Sequence, residues 1–301
     1  MFVFAKIGSS YRVVKSLQTL QRFGRLQKII NRRKLLISKL LQTLQRVAGL
    51  CRVMYLCFQN GKRMIIIPDV HGRSFWRNAI NEYLGKEPIL FLGDYLDPYQ
   101  YEGITPEEAF RVFHEIIEIK RTNQEAITLL LGNHDLHYLN SDMEGGRLDY
   151  TRKEQIVKDI TDNASLFRIA ESVEIGHKNY LFTHAGVKGG WIQKHAERLR
   201  ISASIEIVDR LNEMWLNTEK RPQLLQMLAD IPFSRWGSSP FGSPVWNDVD
   251  DIDDSRDEVP EYIQVFGHSQ QMINPVIGQH FMCLDVRCAF KIDNDNKLIK
   301  I

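Results

Sequence analysis

Five short apolar runs in this chain all end in the same way. "MIIIPDVHGR" passes from isoleucine into Asp69, His71 and Gly72, and "PILFLGDYLD" into Gly93, Asp94 and Asp97. "AITLLLGNHD" runs into Gly132, Asn133, His134 and Asp135, "NYLFTHAG" into His184, and "YIQVFGHS" into His268. A continuous apolar run of this length fits a strand covered on both faces. Helical patterns stand between the runs. "SFWRNAINEYL" follows the first, and a second helix opens at Thr105, with Thr105 as N-cap, Pro106 in the first turn and Glu108 completing a capping box. Ala109, Phe113, Ile116 and Ile117 give that helix one apolar face. Alternating strands and helices predict an α/β fold, in which ligands gather beyond the carboxyl ends of the strands. A lone strand-end Asp or His is ordinarily a turn former or a hydrogen-bonded structural group. Five in succession, nearly all beside glycine, predict one shared site.

Carboxylates, imidazoles and an amide oxygen form the ligand set of borderline divalent metals such as Mn, Fe or Zn. Two such ions roughly 3.5–4 Å apart need a bridging carboxylate, and an Asp in a tight Gly-Asp turn suits that task. Glycine beside a ligand lets the backbone approach without a Cβ clash. A dinuclear centre polarises phosphoryl oxygens and lowers the pKa of a bridging water to near ~7. The chemistry indicated is hydrolysis at phosphorus.

In order along the chain, "DVH", "GDYLD", "GNHD", "THAG" and "GHS" resemble the five blocks of the calcineurin-like metallophosphoesterases, across Asp69 to Ser269. The flavour is similar to the phosphoprotein phosphatase branch, which includes bacterial and phage Ser/Thr phosphatases and symmetrical dinucleoside tetraphosphate hydrolases. "THAGVKGGW" resembles the hydrolase version of the fourth block, "VWND" (Val245–Asp248) resembles a Trp-containing block of that branch, and "GHSQ" supplies one histidine where the general variant has two. The resemblance implies a four-layer α/β sandwich of two mixed sheets flanked by helices. It implies that Asp69 and His71 hold a first metal, that Asp94 bridges, and that Asn133, His184 and His268 hold a second. His134 would be the general acid, oriented by Asp97. The implied activity is phosphomonoester hydrolysis of the Ser/Thr protein phosphatase type by a metal-bridging hydroxide, on a phosphoprotein or small phosphate ester. Hydrolysis of a dinucleoside polyphosphate or a phosphodiester is the alternative, and a non-catalytic metal-binding scaffold a third reading.

The branch normally carries Arg directly after the second Asp of block two and just before the Gly of block three. Pro98 and Leu131 stand there instead. Arg73 and Arg287 are the nearest candidates to grip phosphate in their place, with Trp246 and Asp248 of "VWND" as further substrate residues. Asp135 either supports its turn or touches substrate, and Trp191 either walls the cleft or opens a helix from the core. His114, His137, His177, His195 and His280 match no block and are expected to be structural or surface residues. "AFKIDNDNKLIKI" predicts a closing hairpin through an Asp293–Asn296 turn.

The net charge of +2 conceals a division. Residues 1–63 hold 14 Lys and Arg and no acid, whereas the remaining 25 basic and all 37 acidic residues give 64–301 a charge of −12. Within the basic segment "LQTLQR" occurs twice, and Ile37, Leu40, Leu41, Leu44, Val47, Ala48 and Cys51 follow helical spacing. A basic amphipathic helix suits an anionic membrane surface, a partner, or nucleic acid; a start placed upstream of the natural one accounts for the segment equally well. The boundary is expected at 63/64, with the phosphoesterase domain over 64–301. The −12 domain would repel a polyanion except at its metals. Four cysteines without a CxxC pair make a reducing, cytoplasmic setting the default. No apolar run reaches the roughly 18 residues of a spanning helix, and the N-terminus lacks a signal-peptide pattern. "NDVDDIDDSRDEVPE" lacks the glycine and spacing of an EF-hand loop and reads as solvated. The intact mass of the protein from its natural source checks the basic segment, since a mass beginning at Met64 would end every membrane or nucleic-acid role for it.

Overall fold

All five apolar runs form strands in the computed structural model, which describes residues 63–143, 145–252 and 259–301. The repeat and the helical spacing of residues 1–62 lie outside the described residues, as does the middle of the acid-dense stretch, residues 253–258. β1 (Met64–Ile67), β2 (Ile89–Phe91), β3 (Ile127–Leu130) and β4 (Phe167–Arg168) run parallel side by side. The closing hairpin, β10 (Phe290–Ile292) and β11 (Leu298–Lys300), joins antiparallel at the other side of β1, with Met64 opposite Ile292 and Ile66 opposite Phe290. The sheet order is β11-β10-β1-β2-β3-β4. A second mixed sheet has the order β5-β6-β7-β9-β8, built from β5 (Ala170–Ile175), β6 (Lys178–Thr183), β7 (Ile263–Phe266), β8 (Val276–Ile277) and β9 (Phe281–Cys283). Its central pair, β6 and β7, is parallel.

The packing explains why the runs are apolar at every position. Successive side chains of a strand point to opposite faces. Ile65 and Ile67 of β1 pack with Trp76, Phe113 and Ile116 of the covering helices. Met64 and Ile66 pack with Tyr180, Phe182 and Val265 of the second sheet. Neither face meets water, so alternation with polar residues would bury an unpaired group, whereas each fully buried Ile contributes on the order of 1.5–3 kcal/mol. The result is two mixed sheets flanked by helices, the layered α/β arrangement expected. Among the described residues no helix is long and apolar enough to cross a membrane.

The helix Pro106–Thr122 carries the β2–β3 crossover, and its start is fixed as the sequence predicts. Glu108 N donates to Thr105 Oγ1 at 3.2 Å, and Thr105 N donates to Glu108 Oε2 at 2.8 Å. Ala109, Val112, Phe113, Ile116 and Ile117 form its buried face. Trp191 is fully buried in the first turn of the helix Gly189–Leu199, and its Nε1 donates to the Met227 carbonyl at 3.3 Å, so it belongs to the core. His114 and His195 pair with Asp159 and Asp230, and His177 is exposed, as expected of structural and surface residues.

Strand ends from both sheets meet at one edge, where the chain has no room for side chains on its glycines. A Cβ on Gly93, whose φ is +108°, would lie 2.4 Å from the backbone N of Gly132. A Cβ on Gly132 would lie 2.1 Å from Asp94 Oδ1. Gly85 also has a positive φ, +78°, but nothing lies within 4 Å of its would-be Cβ. Gly85→Ala is therefore expected to cost only the left-handed strain of an L-residue, about 1–2 kcal/mol. Gly93→Ala adds a backbone clash and is expected to cost about 1–3 kcal/mol more. Urea unfolding midpoints of the two variants test this; equal losses would contradict the close approach of the β2 and β3 ends.

Candidate metal centre

At that shared edge two groups of ligand atoms converge and share one carboxylate. Asp69, His71 and Asp94 form one group and Asp94, His184 and His268 the other, the atoms of each lying within 4.8 Å of one another. Asn133 joins the second, its Oδ1 lying 3.0 Å from His184 Nε2 and 2.9 Å from His268 Nδ1. Asp94 Oδ2 lies 3.4 Å from both His71 Nε2 and His184 Nε2. All six ligand positions named from the sequence thus come together, five of them fully buried and His268 at the rim.

Local backbone geometry aims these groups. Ten non-glycine residues among those described adopt left-handed φ, and His71 (45°), Asp94 (53°), Asp97 (57°) and His268 (63°) are among them. Such positions cost about 1–3 kcal/mol each and persist where the surroundings over-determine them. The surroundings here are specific. His71 Nδ1 meets the Leu96 carbonyl at 2.7 Å and His184 Nδ1 the Leu92 carbonyl at 2.9 Å, which places the proton on Nδ1 and turns each Nε2 lone pair toward the centre. His268 N donates to Asp69 Oδ1 at 3.0 Å, tying the end of β7 to the end of β1. Asp135 is a turn support: its carboxylate accepts from the backbone N of Gly132, Asp94 and Tyr95 at 2.8–3.0 Å.

The electrostatics calls for a cation. Burial pushes His71 down to about 3, despite the pull of Asp94, so this imidazole is a neutral lone-pair donor. Burial would raise Asp94, but the fields of His184, His134 and His71 outweigh it and hold the carboxyl well below its usual range. Burial would lower His184, yet Asp94 and Asp69 raise it to about 10. Asp94 Oδ2, Asn133 Oδ1, His184 Nε2 and His268 Nδ1 are acceptors crowded together, and a proton or a cation must lie among them. A neutral-imidazole, carboxylate and amide set with no thiolate suits a divalent metal, and the residues fit a pair of such ions sharing Asp94.

Beside the ligands stands a second cluster. His134 Nδ1 is 2.9 Å from Asp97 Oδ2, and His134 N donates to Asp94 Oδ1 at 2.9 Å. Sequence reading set His137 aside as structural, but its Nε2 lies 2.6 Å from the same Asp97 oxygen. Tyr138 donates its hydroxyl to Asp97 Oδ1. Burial would raise Asp97, but hydrogen bonds with His134 and His137 hold it below the ordinary carboxylate range. Arg147, not singled out from the sequence, places Nη2 2.8 Å from His134 Nε2 and donates from Nη1 to the Asp97 carbonyl at 2.9 Å.

The four residues expected at the substrate are distributed around this edge. Arg73 is buried, pairs with Glu102 at 2.8 and 3.0 Å, and donates to the Asp69 carbonyl at 3.2 Å. Arg287 Nε lies 3.3 Å from the same Glu102, and its Nη2 donates to Tyr101 at 2.9 Å. Both guanidiniums are therefore already engaged with a carboxylate. The Trp246 ring meets His268 edge-on at 5.8 Å. Asp248 pairs with Arg235 at 2.7 Å, and Ser269 bridges to Arg235 at 3.2 Å, so this block braces the His268 turn. Leu131 is fully buried in the helix-side core. Asp285, missed earlier, is buried two residues past β9 with Oδ1 unpartnered, and burial with the charge of Asp69 pushes its carboxyl well up. It repeats the strand-to-acid pattern once more.

Comparison with known proteins places this geometry. No match was found among curated protein sequences. Similar solved structures include a cold-active protein-tyrosine phosphatase of a psychrophile Shewanella species, 15% identical, covering 79% of this chain and 77% of that one with a TM-score of 0.48. Another is a protein serine/threonine phosphatase from Saccharomyces cerevisiae with similarity to human phosphatase PP5, 16% identical, covering 80% and 79% with a TM-score of 0.45. The family model for calcineurin-like phosphoesterases matches residues 62–272, a span that contains all five strand ends. The chain belongs to the calcineurin-like phosphoesterase family and is a metal-dependent phosphoesterase.

Proposed function

We propose that the chain hydrolyses phosphomonoesters, as phosphatases of the Ser/Thr protein phosphatase type do, at a two-metal centre with His134 as proton donor. The observation that carries this reading is the juxtaposition of two ligand groups sharing Asp94 with a His134–Asp97 pair whose Nδ1–Oδ2 distance is 2.9 Å. Asp69, His71 and Asp94 would hold one ion, and Asp94, Asn133, His184 and His268 the other. Mn, Fe and Zn all suit this donor set. When bound, two divalent ions polarise phosphoryl oxygens and bring the pKa of a water to near ~7.

The chain's own residues supply the rest. Asp97, fixed by Tyr138 and His137, accepts from His134 Nδ1–H and stabilises the imidazolium form. The His134 backbone N–H is held by Asp94 Oδ1, so its ring cannot drift from the ligand cluster. Nε2 is then the atom that carries a proton outward to the leaving oxygen, which is general acid catalysis. Dinucleoside polyphosphate or phosphodiester cleavage is the second reading. It is favoured by Pro98 and Leu131, which leave the two usual phosphate-gripping arginines absent.

His134→Ala is expected to keep two metal equivalents by elemental analysis while turnover falls by about two or more orders of magnitude; loss of the metals would contradict the acid role. Asp94→Asn is expected to lose metal stoichiometry, and two ions at full occupancy in that variant would remove the bridging assignment. Substrate class is decided by Mn-reconstituted protein and four substrates: p-nitrophenyl phosphate, bis-p-nitrophenyl phosphate, a phosphopeptide and diadenosine tetraphosphate. Turnover of the first and third is expected. Preference for the second or fourth selects the alternative, and hydrolysis of none supports a metal-binding scaffold.

A further inference from the structure

A phosphate ester brings negative oxygens that its enzyme must hold while the leaving oxygen departs. Positions 98 and 131 do not provide the charge, and Arg73 and Arg287 face Glu102. Arg147 is placed differently. Its guanidinium carbon lies 3.7 Å above the Tyr99 ring, a cation–π seat that fixes the plane of the group. Nη1 donates to the Asp97 carbonyl at 2.9 Å, and Nη2 reaches His134 Nε2 at 2.8 Å. These contacts are all uncharged, and no described carboxylate forms an ion pair with it.

The contact with His134 is informative because of its polarity. A guanidinium can only donate, so Nε2 here accepts, and His134 carries its proton on Nδ1 toward Asp97. A fixed guanidinium N–H and an imidazole nitrogen thus stand side by side, 2.8 Å apart, next to the ligand cluster. A phosphate ester has an oxygen for each: a non-bridging oxygen for Arg147 and the leaving oxygen for His134. The backbone supports the same placement, since Arg147 itself has a left-handed φ of 75°, directly after Gly145 and Gly146, which swings the side chain back over the site.

We propose that Arg147 is the phosphoryl-binding residue of this chain, seated on Tyr99 and taking a non-bridging substrate oxygen with the N–H that now faces His134 Nε2. The assignment rests on the proposed function. It gives the substrate group a single guanidinium fork, the donor geometry that matches phosphate, on the loop that follows β3 rather than at positions 98 and 131.

The test uses inorganic phosphate as probe, on the full chain reconstituted with Mn, with affinity measured both by calorimetry and as competitive inhibition of p-nitrophenyl phosphate turnover. Arg147→Ala is expected to keep both metal equivalents and to lose about 10–100-fold in phosphate affinity, the range of a charge-assisted hydrogen bond to an anion. KM is expected to rise more than kcat falls. Arg147→Lys keeps the charge without the fork and is expected to lose less; it also carries the test if the alanine variant does not fold. Tyr99→Leu frees the guanidinium and is expected to weaken phosphate binding in the same direction. Unchanged phosphate affinity in metal-loaded Arg147→Ala, or in Arg147→Lys if that variant alone folds, overturns the assignment and leaves the proposed function standing. An effect confined to kcat and its pH profile also overturns it, because that is what a mere prop for Asp97 would produce. A wild-type protein that binds no phosphate and cleaves no ester overturns the proposed function and this inference together.

Discussion

The carboxylate of Asp94 is the element on which the rest of the site depends. It is buried, in a left-handed backbone conformation, and within 3.4 Å of imidazole nitrogens from both sheets. A buried carboxylate is costly unless it is paired and hydrogen-bonded. Here the compensation comes from His184, His71 and the backbone N–H of His134. Each of those partners sits at the end of a different strand, so the position of one carboxylate fixes β1, β2, β3 and β6 relative to one another. Gly132 and Gly93 follow from the same demand, because side chains there would fill the space that Asp94 and the β3 turn occupy.

Much of this was legible in the sequence for a physical reason. Strands covered on both faces must be apolar throughout, so their boundaries show as abrupt changes to Asp, His or Asn. Such changes at Asp69, Asp94, Asn133, His184 and His268 marked residues that meet at one edge. The capping box at Thr105 was legible because its donors and acceptors lie three residues apart. Arg147 and Tyr99 were not legible, since neither lies on a periodic element and their meeting depends on two loops folding over one another. His137 is a buried structural residue, as expected, but its partner was not legible, because Asp97 stands 40 residues earlier and no local pattern connects the two. Arg73 and Arg287, expected to grip phosphate, both face Glu102, and that shared partner was hidden in a short turn. Asp285 could have been found, because "FMCLDV" repeats the pattern of the other five strand ends.

Position 131 illustrates how packing and substrate recognition exclude one another. Leu131 is wholly enclosed among apolar side chains, and a guanidinium there would need a buried partner to offset its desolvation. The chain uses that position for the core and brings its charge from the loop after β3 instead. The helix Asn133–Leu136 and the loop to Arg147 form one continuous excursion. His134, His137, Tyr138 and Arg147 therefore all come from a single stretch that leaves the core at Leu131.

The closing hairpin has a consequence for how such a site is assembled during synthesis. β1, which leads into Asp69 and His71, has β2 on one side and β10 on the other, and β10 is made long after β1. His268 is likewise made about 200 residues after the Asp69 carboxylate that its backbone N–H contacts. While the chain is still emerging from the ribosome, β1 has one unpaired edge and half of its ligand set has no counterpart. Contacts this far apart in sequence form late and slowly. The free edge of β1, the strand that leads into Asp69 and His71, is thus completed only once β10 has been made.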